Sequence, residues 1–283
     1  PGFEVPVSGL QTSWNIPGNI QMPEDINELA FYSVLELASL IRSEKISSVE
    51  LTRFFLERLE KYGDTLECIV ALTRERAMQQ AMKADQEIAA GKWRGPLHGI
   101  PYGVKDLLSV ESYPTSWGAT PYRDQEIDYT STVVARLDEA GAVLTAKLTL
   151  GALAMGDVWF GGMTRNPWNL EQGSSGSSAG SAATVSAGLL PFAIGTETLG
   201  SLVSPATRCG ISSLRPTFGR VSRTGAMALS WSMDKIGPIA RNTLDNAMVF
   251  DAIRGVDGID RSLVDAGFYF DQEIDVSTLR VGY

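Results

Sequence analysis

The chain has 283 residues, enough for one large domain or two small ones, and 44% of them are hydrophobic, so a sizeable core can be buried. A formal net charge of -9, with Lys and Arg spread thinly, argues against a nucleic-acid groove or an anionic membrane surface as the main partner and favours a small neutral or cationic substrate. Cys68 and Cys209 are too few for a disulfide framework or a structural zinc site and read as reduced, buried thiols.

Residues 1–25 are rich in Gly and Pro without a period, which predicts an extended arm lying on the domain or frayed in solvent. Because the chain starts at Pro1, residues upstream have been removed or left out, and a cleaved signal peptide is compatible with that start; a cytoplasmic location is the expectation over a secreted or periplasmic one. Residues 26–92 read as a helical region packed on the core. Ser33 with Glu36 and Ser47 with Glu50 each match a capping box, and Leu51, Phe54, Phe55 and Leu59 share one helix face. A further helix over Arg74 to Ala90 ends at Gly91, with Met78 and Met82 as core fillers. Residues 93–283 change pattern. Ile100 to Lys105 reads as a strand, Ser131 to Ala140 as a helix closed by Gly141, and Val143 to Ala146 as a second strand. That alternation predicts an α/β fold: a mixed or parallel β-sheet flanked by helices, behind an N-terminal helical layer. The apolar run Ala182 to Ile194 is broken by Ser186, Gly188 and Pro191 and is too short for a membrane span.

The stretch from Gly173 to Gly210 turns to Gly, Ser, Ala and Thr. A flexible linker would have this composition, but Ala182, Ala183, Val185 and Ala187 continue it as a compact small-residue helix, so the Gly/Ser segment opens a buried helix instead. Such a turn presents a hydroxyl. A second segment, Gly195-Thr-Glu-Thr-Leu-Gly-Ser201, again ends in a serine after glycine, where backbone N–H groups can converge.

A serine hydroxyl needs a base within hydrogen-bond reach and donors for the oxyanion before it can attack an amide. His98 is the only histidine, in a turn-like setting, so an imidazole base would rest on it alone. A lysine kept neutral by burial serves equally, and Lys105, ending an apolar strand, is such a residue. Lys147 also ends an apolar strand and is a rival base. Lys105 could instead form a surface ion pair with Asp106, Ser177 or Ser178 could be a helix cap, and Ser201 a turn serine.

Several motifs in register narrow these alternatives. Asn166-Pro-Trp-Asn169, Gly176-Ser-Ser-Ala-Gly-Ser-Ala-Ala183, Gly195-Thr-Glu-Thr-Leu-Gly-Ser201, Pro205-Ala206, Cys209-Gly210 and Leu214-Arg-Pro-Thr-Phe-Gly-Arg-Val-Ser222 follow the order of the amidase signature, and Gly95-Pro-Leu-His-Gly-Ile-Pro-Tyr-Gly-Val-Lys-Asp106 resembles that family's lysine segment. The resemblance runs from about Ser33 to Tyr283. Arg280-Val-Gly-Tyr283 resembles the start of a strand that family members continue, which implies an N-terminal portion of a longer enzyme, truncated at its C-terminus. It further implies Ser201 as nucleophile, Ser177 as bridging serine after a cis peptide bond, and Lys105 as base, with the oxyanion held by backbone N–H groups of Thr198, Leu199, Gly200 and Ser201. Substrate contacts are implied at Met155, Gly156 and Ser178. The implied activity is hydrolysis of a carboxamide to acid and amine or ammonia through an acyl-enzyme, with no cofactor and no metal; the implied partner is a small-molecule amide, and a homodimer is compatible with it. Alternatives are the glutaminase subunit of a transamidating complex and a non-catalytic relative that binds without cleaving.

Two positions depart from the family pattern. Leu199 stands where glycine is usual, so a side chain there is expected to crowd the turn or to force a φ angle that glycine takes cheaply. Val203 stands where an arginine usually follows the nucleophile, so an ion pair near Ser201 is expected to be missing or relocated, with Arg208 the nearest basic residue.

Overall fold

The computed structural model describes residues 12–272, 275–280 and 282. The first eleven residues of the expected N-terminal arm, and parts of the expected strand start at 280–283, lie outside the described residues. From residue 12 the arm runs without helix or strand and lies on the domain. Trp14, Ile16, Ile20 and Met22 pack against the core, and Trp14 Nε1 donates to Asp251 Oδ2 at 3.3 Å. The arm also meets a segment late in the chain: Thr12 Oγ1 donates to the Phe268 carbonyl, Gln272 Nε2 donates to the Ser13 carbonyl, and Trp14 stacks on Phe270.

Helices α1 (Val34–Arg42) and α2 (Ser48–Leu66) begin at the two expected capping boxes, each with the Ser hydroxyl accepting from the N–H three residues on and the Glu returning to the cap N–H. Leu51, Phe55 and Leu59 of α2 are fully buried, with Phe54 packed beside them. Strand β1 (Ile69–Leu72) follows, and then α3 (Arg74–Ala89). On α3, Met78 packs beside Ala77 and Ala81, but Met82, expected in the core, is 46% exposed because the helix buries only its alanine face.

The next elements are β2 (Pro101–Lys105), α4 (Thr132–Glu139) and β3 (Val143–Leu148). Two small antiparallel ribbons come after them: β4 (Val158–Trp159) with β5 (Gly162–Met163), and β6 (Arg165–Asn166) with β7 (Asn169–Gly173). Helix α5 (Ala179–Ser186), β8 (Phe192–Glu197), α6 (Val203–Cys209), β9 (Ser212–Ser213), β10 (Lys235–Ala240) and α7 (Thr243–Ile253) complete the fold. Six strands form one mixed sheet in the order β1-β3-β2-β8-β10-β9, with β3, β2 and β8 parallel and the outer pairings antiparallel. Helices α2 and α5 pack on each other and on the sheet; α4 and α7 pack on each other and on strands β3 and β10. Every residue of β2, β3 and β8 is buried, as strands covered by helices require.

The pleat decides which lysine goes where. Val104 pairs with Lys147 and Lys105 with Leu148, so successive side chains send Lys105 to one face of the sheet and Lys147 to the other. Lys147 Nζ lies 2.7 Å from Asp106 Oδ1 with both side chains fully buried, and it donates to Thr115 Oγ1 at 2.8 Å and the Pro114 carbonyl at 3.0 Å. The second Asp106 oxygen accepts from the N–H and the hydroxyl of Ser116. The rival base is therefore consumed in a buried ion pair, and Asp106 is paired with Lys147 rather than with its neighbour Lys105. Breaking such a pair leaves an uncompensated charge in the core. Lys147→Met should lower unfolding stability by roughly 3–5 kcal/mol in urea titration, and adding Asp106→Asn should recover part of that loss.

Candidate active site

Three segments converge at one end of β2: the loop into α5, the strand β8 with the turn after it, and the strand end carrying Lys105. Gly176–Ser177 is a cis peptide bond and immediately precedes Ser178, the residue before α5. The turn is built tightly. Gly176 lies against the Gly156 carbonyl, where a Cβ would collide with backbone, and the Ser175 N–H donates to Asp157 Oδ2 at 2.9 Å. The Met155–Gly156–Asp157 segment is thus packed on the serine loop, with Met155 itself 70% exposed.

Lys105 is fully buried. Its Nζ is 2.8 Å from Ser177 Oγ, 2.8 Å from Thr196 Oγ1, 3.1 Å from Ser178 Oγ and 3.4 Å from the Thr196 carbonyl. Burial pushes the amine well below its ordinary range, overriding the carboxylates of Asp234 and Glu197, which favour the charged form. A neutral amine offers two N–H donors and one lone pair. In that form Thr196 Oγ1 and Ser178 Oγ would take the donors, and the lone pair would face Ser177 Oγ, 2.8 Å away.

Ser178 departs from the expected role. Its hydroxyl is buried, donates to the Thr196 carbonyl at 3.0 Å and accepts from the Thr196 N–H at 3.1 Å as well as from Lys105. It makes no capping bond to α5, and its hydroxyl braces the lysine. Ser177 likewise does not cap the helix.

Ser201 sits half-buried in the turn after β8, and its carbonyl accepts the Ser178 N–H at 3.2 Å, tying the two serine segments together. Among the described residues its hydroxyl has no side-chain hydrogen bond, nor do the N–H groups of Thr198, Leu199 and Ser201 donate to another protein group. The Gly200 N–H, expected to join them, is among the groups that hold the Glu197 carboxyl below its usual value. Leu199 does not strain the turn: the positive φ of 90° falls on Gly200, and the Leu199 side chain points outward, 79% exposed.

Sequence reasoning missed Glu197. Its buried carboxylate accepts from the N–H groups of Leu202 and Val203 at 2.8 and 3.1 Å and pairs with Arg215 Nη1 at 3.1 Å. Burial pushes this carboxyl up, but the N–H groups of Gly200, Leu202 and Val203 and the Arg215 guanidinium more than offset it, so it stands below its usual value. Val203 makes no ion pair here; the ion pair of this turn joins Glu197 and Arg215, whereas Arg208 contacts Gln172. A glutamate four residues before a serine, with an arginine fourteen residues after that serine, was the visible signal.

Histidine is not at this site. Buried His98 accepts the Arg94 N–H on Nδ1, has Nε2 3.2 Å from Glu87, and is held below its usual pKa mainly by burial and by Arg94. Cys68 and Cys209 are free, and burial pushes both thiols up to about 12. No group of three or more His, Cys, Asp or Glu among the described residues is arranged to hold a metal ion. No helix among them is long and apolar enough to cross a membrane.

The family model described as Amidase matches residues 50–283. Among curated relatives, the glutamyl-tRNA(Gln) amidotransferase subunit of Moorella thermoacetica is 40% identical over 241 residues, covering 84% of this chain and 50% of that protein. Among solved structures, peptide amidase from Stenotrophomonas maltophilia has a TM-score of 0.77 at 36% identity, covering 83% of this chain and 50% of the other. An amidase family protein from Bacillus anthracis has a TM-score of 0.79 at 37% identity, covering 83% and 49%. The chain spans about half the length of the curated relatives it matches.

The contact of Gly176 with Gly156 gives a direct test of how the serine loop is held. Gly176→Ala should cost about 1–3 kcal/mol of stability through overpacking and depress any hydrolytic activity, measured by thermal melting and turnover on the same preparation.

Proposed function

The chain belongs to the amidase family, and on that premise we propose that it hydrolyses a carboxamide to a carboxylic acid and an amine or ammonia through a Ser201 acyl-enzyme. The observation that carries this reading is the buried Lys105 amine, pushed towards its neutral form, 2.8 Å from the Ser177 hydroxyl.

With substrate bound, the Ser201 hydroxyl closes onto Ser177. As Ser201 Oγ attacks the amide carbon, its proton moves to Ser177 Oγ and the Ser177 proton moves to Lys105 Nζ. The carbonyl oxygen becomes an oxyanion that the uncommitted N–H groups of Thr198, Leu199 and Ser201 stabilise; losing one such donor typically costs about 10²–10³ in rate. The proton then returns through Ser177 to the amide nitrogen as the C–N bond breaks. Water enters, gives its proton along the same route, and releases the acid. Glu197 and Arg215 hold the turn in shape throughout, and Met155 and Gly156 line the approach.

A second reading, in which the chain is the glutaminase component of a transamidating complex, is supported by relatives named for glutamyl-tRNA(Gln) amidotransferase. It uses the same residues and differs in needing a partner and an ammonia acceptor. Glutamine hydrolysis seen only when a partner protein is supplied would favour it.

A fluorophosphonate probe should label Ser201; Ser201→Ala should abolish labelling, and Lys105→Ala should slow turnover by about 10²–10⁴. A folded protein that no such probe labels would sink the proposal. The pH dependence has a fixed sign. The base works unprotonated, so kcat/KM should rise with pH through the apparent pKa of Lys105 and level off above it. Because burial holds that pKa well below the ordinary 10.5, the plateau should be reached before the usual lysine range. A profile flat from neutral to alkaline pH would exclude a lysine base.

A further inference from the structure

A cavity of about 510 Å³ lies next to the site: Lys105, Ser177 and Ser201 do not line it, but Thr196 and Thr198 do, and Thr196 Oγ1 is the atom 2.8 Å from the Lys105 amine. Its volume lies in the range that holds a small organic ligand. The loop from Met227 to Asp234 forms one wall and hangs from the site itself: Thr198 Oγ1 donates to Asp234 Oδ1 at 2.5 Å, and Asp234 Oδ2 accepts from the N–H groups of Leu229 and Ser230. Lys235 Nζ adds a bond to the Thr198 carbonyl at 3.0 Å.

The lining is largely apolar where it is free, and its charges are committed except at Arg261. Leu107, Met227, Leu229, Trp231, Ile236 and Ile259 contribute hydrocarbon and aromatic surface. Arg223 is locked to both oxygens of Asp260 at 3.0 and 3.1 Å and donates to the Trp231 carbonyl. Asp234 and Lys235 are spent on the loop and on Thr198. Arg261, exposed at the rim, is the one lining charge with no protein partner among the described residues. Trp231 is 81% exposed and Ile259 68% exposed, so a ligand entering here removes large apolar surfaces from water, which is the favourable term in binding such a group. Among the described residues, the ammonium of a zwitterionic amino acid would meet no free carboxylate in this cavity, although its own carboxylate could meet Arg261 at the rim.

We infer that the amides cleaved at this site carry an uncharged aromatic or branched aliphatic group seated in this cavity, and that Trp231 is a specificity-determining residue. The inference rests on the hydrolase reading above and narrows its substrate class. It disfavours free glutamine as the preferred amide.

The test uses the full chain and three probes: 3-phenylpropionamide for an apolar acyl group, acetanilide for an apolar leaving group, and L-glutamine. Fluorophosphonate labelling of Ser201 is measured alongside. At least one of the two aromatic amides should exceed glutamine in kcat/KM by about 100-fold, and which one does so assigns the cavity to the acyl or the amine side. Trp231→Ala should lower kcat/KM for that amide about tenfold, mainly by raising KM, with Trp231→Phe restoring most of it; as Trp231 is exposed, its truncation does not threaten the fold. Equal or better turnover of glutamine, or an unchanged KM in Trp231→Ala, in protein whose Ser201 still labels overturns the substrate class and leaves the hydrolase reading standing. Protein that neither labels nor turns over any amide overturns both.

Discussion

An amine with no access to water, ringed by the hydroxyls of Ser177, Ser178 and Thr196 and the carbonyl of Thr196, is what the rest of the structure is arranged to hold. Charged, it would demand a buried counter-ion; uncharged, it can be satisfied by neutral oxygens alone. The sheet supplies the dryness. Lys105 ends a strand buried along its whole length, between β3 and β8, and α5 closes over the side to which its side chain points. The carboxylates that favour its charged form are already engaged, Asp234 by the N–H groups of Leu229 and Ser230 and Glu197 by those of Leu202 and Val203.

The same strand segment shows how one pleat separates two lysines of similar sequence setting. Lys147 occupies the neighbouring strand one step out of phase, meets Asp106 on the opposite face, and becomes structural. The chemistry of the pair follows from the partner offered by each face, a carboxylate on one and hydroxyls on the other. Neither could be exchanged for the other without burying a mismatch.

Local features of the chain are legible in its sequence. Capping boxes depend on spacing alone, so Ser33 with Glu36 and Ser47 with Glu50 can be read directly, and the buried strand around Lys105 announces itself as an apolar run. The mixed sheet flanked by helices follows from the alternation of elements, although β1, β9 and the short ribbons are too brief to show a period. What cannot be read is long-range. That Ser178 turns inward to Thr196 and that Glu197 takes Arg215 as its ion-pair partner both depend on segments brought together only by the fold. The expectation for Leu199 fails for a subtler reason: a glycine follows it, and the turn places its left-handed residue there. Met82 escapes the core because α3 presents alanines inward and leaves its bulkier face outside.

The lacing of residues 12–14 to residues 251–272 has a consequence for how the molecule is assembled. Contacts that span 237 to 259 positions cannot exist until almost the whole of this stretch has left the ribosome, so the arm settles only after the later segment it meets has been made. Until then Trp14 and the hydrophobic strip it covers stay open to solvent and to other proteins.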